Sequence, residues 1–129
     1  MLPFQVQLKP GLPVFEQVLF AVKKAVISGQ LRPGDRFPSV RQLSLELKIN
    51  PNTAHKAVAA LVQEGVLQVM PGIGTVVASP SPGSQKDRTQ MLESELERVV
   101  VESKALGLDL SEVIESLNAH WNRLKKEKK

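Results

Sequence analysis

The sequence predicts a mainly α-helical chain with one small β-hairpin, organised in two parts, and three observations carry that prediction. Apolar residues recur at three- and four-residue intervals through most of the chain, the spacing of one helix face turned to a core. One stretch departs from it: "VLQVM" and "TVVA" flank "PGIG", two β-like runs around a glycine-containing turn. "SPSPGS", Ser79 to Ser84, sets two prolines and a glycine among serines, a composition that neither pairs nor packs. The boundaries that follow are a first domain over 1–78, a linker over 79–86 and a helical hairpin over 87–129.

Taken in order, Phe4, Val6 and Leu8 alternate with polar residues, the pattern of a short half-buried strand, and "KPGLP" turns the chain. Phe15, Val18, Leu19, Val22, Ala25 and Val26 then form the inward stripe of a first helix, which Gly29 stops. "LRPGDRFPS" reads as a loop ending in Ser39, an N-cap for a short second helix in which Val40, Leu43 and Leu47 face inward. Gln42, three residues on, completes a capping box.

The third helix opens in "KINPNTAHKA". Asn50 is a favoured N-cap, because its side-chain oxygen accepts from a backbone N–H that has no partner inside the helix. Pro51 suits the first helical position, where its missing N–H costs nothing. Ala54, Ala57, Val58, Leu61 and Val62 share an apolar face, whereas Asn52, His55, Lys56, Ala59 and Gln63 share the opposite one, with Thr53 at the border. A slim polar face of donors and acceptors at a helix front suits base edges and phosphates. Helix, helix-turn-helix and two-stranded ribbon, in that order, make a winged helix.

Beyond the linker a helix is expected from Asp87 to Leu106, with Leu92, Leu96, Val99, Val100 and Leu106 on one side and Gly107 as its stop. A second begins near Ser111 and places Val113, Ile114, Leu117, Trp121 and Leu124 on one face. Joined by "GLDL", the two form an antiparallel hairpin whose stripes need another surface, either a second copy of the hairpin or the chain's own first domain. A second copy makes a homodimer, in which paired third helices meet two half-sites about one helical turn apart. "RLKKEKK" reads as a solvated helix end.

Charge and composition narrow the function. Residues 1–78 carry eight Lys/Arg against four Asp/Glu, while residues 79–129 carry nine of each, so the +4 net charge belongs to the first part and suits a polyanionic partner. With no cysteine there is no thiolate metal site or disulfide framework, which fits a reducing cytoplasm. His55 has no second histidine beside it, and no metal or other cofactor is expected. No secretory leader or membrane span is read. An enzyme is disfavoured: there is no nucleophile beside a histidine and no glycine-rich phosphate loop after a strand.

"ISGQLRPGDRFPSVRQLS" (Ile27 to Ser44), "INPNTAHKA" (Ile49 to Ala57), Gly65 and "PGIGTVV" (Pro71 to Val77) together resemble the N-terminal domain of GntR-type bacterial transcription regulators, over roughly residues 12–78. The short tail, and Pro-Asn where many members carry Ser/Thr-Arg, resemble the YtrA-type branch. The resemblance implies a DNA-binding transcription regulator, and with the homodimer expected from the tail the leading reading is a repressor that meets a palindromic operator. Carried over by position, it implies DNA contacts from Arg41, Asn50, Asn52, Thr53, His55 and Lys56, and from Gly72 at a wing tip lying along the minor groove. Each has a plainer reading too. Asn50 and Pro51 are helix-start devices, Arg41 can pair with Asp35 or Glu46, and Gly72 can serve the turn alone. The competing function is a winged-helix module for protein association without DNA. The effector question stays open, since a short helical tail offers no obvious polar pocket.

Overall fold

The computed structural model describes residues 2–80 and 82–124, which fall into two compact units, one ending at Pro80 and the other following it. The first holds helices α1 (Val14–Ser28), α2 (Val40–Leu47) and α3 (Pro51–Gln63) and strands β1 (Leu67–Met70) and β2 (Gly74–Val77). α3 packs against α1, α2 and β1 and is the centre of the unit. Its Ala54, Ala57 and Leu61 are fully buried among Val18 and Val22 of α1, Leu43 of α2, and Leu31, Leu67 and Val77. The two alanines let neighbouring helices approach closely, which is why one thin helix can serve as the hub of so small a core. This is a winged helix-turn-helix, mainly α with one small hairpin.

The segment before α1 differs from expectation. Phe4 is buried and stacks on Phe37 with ring centroids 5.6 Å apart, and Val6 and Leu8 are half-buried between exposed glutamines. The alternation therefore holds, yet the segment is not a strand, because no neighbouring strand receives its backbone groups. Instead the Gln17 side chain bonds the Lys9 N–H (2.8 Å) and the carbonyls of Lys9 and Leu12 (each 3.0 Å), pinning the turn "KPGLP" to α1. α1 ends at Gly29, whose φ of 89° admits only residues without strain in the left-handed region.

The loop before α2 does more than connect. Gly34 donates to Val77 O, Val77 to Asp35 O and Phe37 to Thr75 O, each at 2.8 Å, and Arg36 pairs antiparallel with Val76. β2 thus lies between β1, in register Leu67 with Val77, and this extended stretch. The tip of the hairpin is a turn in which Ile73 N–H donates to Met70 O (3.0 Å), with Pro71 second and Gly72 third at φ 79°, the arrangement of a type II turn.

The second unit is helical throughout. Ser84 accepts from Asp87 N–H and starts α4 (Gln85–Gln90), two residues before the expected start. A π-helical stretch (Met91–Glu95) and α5 (Leu96–Ala105) continue the same rod. Gly107, at φ 79°, closes it, and its N–H and that of Leu108 return to Lys104 O and Ser103 O. α6 (Leu110–Arg123) starts at a complete capping box: Asp109 accepts from Glu112 N–H, and Glu112 from Asp109 N–H. The two rods touch each other less than α3 touches α1 and α2. They leave an open cleft of about 590 Å³ lined by Val99, Ser103, Leu108, Val113, Leu117 and His120. No residue of α4, α5 or α6 is buried. Of "RLKKEKK", only Arg123 and Leu124 lie within the described residues.

Candidate nucleic-acid interface

The interface is built from the start of α2 upward. Ser39 Oγ accepts from Gln42 N–H at 3.1 Å, so the cap forms as expected. The reciprocal half of the box does not: the Gln42 amide reaches forward to Glu46 Oε2 at 2.9 Å. A helix position three residues from its cap also lies one turn from the residue at i+4, and here the carboxylate wins the amide. That hydrogen bond holds the Glu46 carboxyl below its ordinary range. Arg41 is exposed, and its guanidinium pairs with neither Asp35 nor Glu46 among the described residues, which leaves it available to an outside anion.

The turn from α2 to α3 is Lys48-Ile49-Asn50. Ser44 is buried, its carbonyl accepts from the N–H groups of Lys48 and Ile49, and its hydroxyl donates to Arg41 O at 2.9 Å. Lys48 takes a left-handed conformation, φ 56° and ψ 48°. Asn50 Oδ1 then accepts from Asn52 N–H at 2.7 Å, and Pro51 holds the first helical position. The front of α3 follows the expected division: Asn52, His55 and Lys56 are exposed, Thr53 is half-buried, and Ala54, Ala57 and Val58 are buried. No large apolar side chain of α3 is exposed.

Gly72 is exposed at the hairpin tip. Five of the seven residues singled out thus lie within the first two turns of α3 or at its cap, Arg41 lies on α2, and Gly72 on the wing. Sequence reasoning passes over two exposed cations in the segments that flank these elements, Arg36 beside β2 and Lys48 in the helix-turn-helix turn. Their signal is charge balance: residues 36–63 hold four cations against Glu46 alone. Among the described residues no group of His, Asp and Glu side chains has the arrangement of a metal site, and no helix is long and apolar enough to cross a membrane.

Residues 15–77 match the family described as bacterial regulatory proteins, gntR family. Over a longer span, the HTH-type transcriptional regulator Rv1152 of Mycobacterium tuberculosis is 31% identical across 113 residues, 88% of this chain and 89% of that protein. The chain belongs to the gntR family. Within it the chain is YtrA-like: the HTH-type transcriptional repressor YtrA of Bacillus subtilis is 28% identical over 112 residues, 86% of each protein. A crystal structure titled transcriptional antiterminator from Listeria monocytogenes superposes with a TM-score of 0.82 at 25% identity, over 94% of this chain and 91% of that one. The DNA-binding domain of AraR, solved in complex with operator ORX1, matches with a TM-score of 0.51 at 26% identity, over 57% of this chain and 95% of that one. The gntR family is one of transcriptional regulators with a DNA-binding winged helix, and this chain is such a regulator rather than an enzyme.

Proposed function

We propose that this gntR-family chain is a sequence-specific repressor that binds a palindromic operator as a homodimer. The observation that carries the reading is the division of α3, whose core face is sealed at Ala54, Ala57 and Leu61 while its leading face offers Asn52, His55 and Lys56 to solvent. A helix that is rigidly seated yet polar at its front is suited to the major groove, where donors and acceptors distinguish base pairs. In this reading Asn52, Thr53 and His55 meet base edges, Lys56 and Arg41 meet phosphates, Asn50 fixes the helix front beside the backbone, and Gly72 lets the wing tip approach the minor groove. An association module without DNA is disfavoured by the same face, since it exposes no large apolar side chain.

The tail supports the dimer. Leu92, Val99, Val100, Ile114, Leu117 and Trp121 are exposed in the single chain, and Leu96, Val113 and Leu124 are half-buried. So much apolar surface on so few residues is the mark of an association surface. Two copies joined there present two α3 helices to one duplex, and the place of action is the cytoplasm, where that duplex is. Selection of bound sites from random duplexes tests the whole reading. The expected product is an inverted repeat with half-site centres about 34–36 Å apart; recovery of no consensus, or of a lone half-site, overturns it.

A further inference from the structure

Every described residue with a positive φ is a glycine except Lys48. The left-handed region crowds a Cβ against the following carbonyl, so glycine, or asparagine after it, ordinarily fills a helix-ending position of this kind. The turn of this helix-turn-helix instead spends a lysine. Its backbone N–H is satisfied by Ser44 O, but its ammonium is exposed and has no partner among the described residues. The surroundings say what such a cation would serve. From Gly65 to Gln85 the sequence has no charged residue at all, so the wing brings no cation to a phosphate backbone. The cations within residues 36–63, the stretch that carries α2 and α3, are Arg36, Arg41, Lys48 and Lys56, and Lys48 stands two residues before the cap of α3, with Lys56 about one and a half turns beyond it.

We propose that Lys48 is a phosphate-contacting residue of the DNA interface, and that its strained backbone is the cost of keeping a cation at the entrance of α3. The inference rests on the DNA-binding reading above. The competing role is local: a cation at the end of α2 also interacts favourably with that helix's dipole. The two roles move stability and binding in opposite senses, which separates them.

The test uses the full-length chain, the duplex recovered by site selection, and poly(dI-dC) as a duplex without that site. Lys48→Gly and Lys48→Asn relieve the backbone while removing the charge; Lys48→Arg keeps the charge. Expected are an unchanged or raised Tm for the Gly and Asn variants and affinity reduced about 5- to 10-fold on both duplexes. The slope of log affinity against log salt should be shallower by about 0.9 per protomer, with near wild-type binding for Lys48→Arg. Wild-type affinity and salt slope in the Gly and Asn variants, with a lowered Tm, would assign the lysine to the α2 dipole and overturn the proposal. Lys56→Ala serves as the reference: if it weakens binding and the Lys48 variants do not, the interface stands and only this inference fails. If the wild-type chain binds neither duplex, the DNA-binding reading fails and the inference with it.

Discussion

Replacing Trp121 with alanine tests the tail as an association surface, and its magnitude can be worked from exposure. The residue is 75% exposed in the single chain. A tryptophan side chain offers up to about 250 Å², so roughly 190 Å² faces water. If the partner covers half of that, each ring loses about 95 Å² of hydrated surface on association, worth about 2.4 kcal/mol at ~25 cal/mol per Å². A twofold interface contains the ring twice, so Trp121→Ala removes about 4–5 kcal/mol and raises the dimer dissociation constant on the order of 1,000-fold. Sedimentation equilibrium across a concentration series reads that constant directly. The chain has a single tryptophan, so its emission also reports the same event by shifting to shorter wavelength as protein concentration rises. A wild-type chain that stays monomeric at the highest concentration reached, or a variant whose dissociation constant matches wild type, refutes the reasoning.

Three further outcomes follow from individual contacts. Asn50→Ala removes the acceptor of the Asn52 N–H and is expected to cost about 1 kcal/mol, lowering the Tm of the winged domain by about 4–8 °C, with Asn50→Ser close to wild type. Leu61→Ala, at a fully buried site between α1, α2 and β1, leaves a cavity and is expected to cost about 2.7–5 kcal/mol in urea unfolding, while Gln63→Ala on the exposed side costs under about 0.5 kcal/mol. Asp109, whose carboxyl is held below its ordinary value of 3.8 first by the Glu112 N–H, stabilises the start of α6 fully above that value. That support is lost as pH falls through the lowered one; Asp109→Asn keeps the cap and flattens the loss, which helicity at 222 nm measured from pH 6 to 2 will show.

Much of this architecture is legible because local signals agree with tertiary ones. α1, α2 and α3 announce themselves through periodicity and through caps whose chemistry is local: Ser39, Asn50 and Gly29 each act within three residues of where they stand. The front of α3 was readable for the same reason, since polar and apolar positions divide cleanly around one cylinder. Signals that depend on distant partners are not readable in this way. The alternation of Phe4, Val6 and Leu8 reports burial on one side, but a strand also needs a neighbour, and at the end of this segment the Lys9 N–H donates to the Gln17 side chain instead. Gln42 has two options, back three residues to the Ser39 cap or forward four to Glu46, and spacing alone does not choose between them. The pairing of Arg36 with Val76 joins residues forty apart, and no turn signal marks it. Lys48 escapes notice because the left-handed conformation is usually signalled by glycine, and the turn contains none.

The bonds from Gly34, Asp35 and Phe37 to β2 have a mechanical consequence. They fasten the inner half of the hairpin to the very segment that delivers Ser39 to α2, so neither can swing without dragging the other. The winged domain is therefore braced as one stiff stamp. On the DNA-binding reading proposed above, mismatches in groove width are absorbed by flexure of the double helix, and binding strength tracks how easily a given duplex yields as well as which letters it displays.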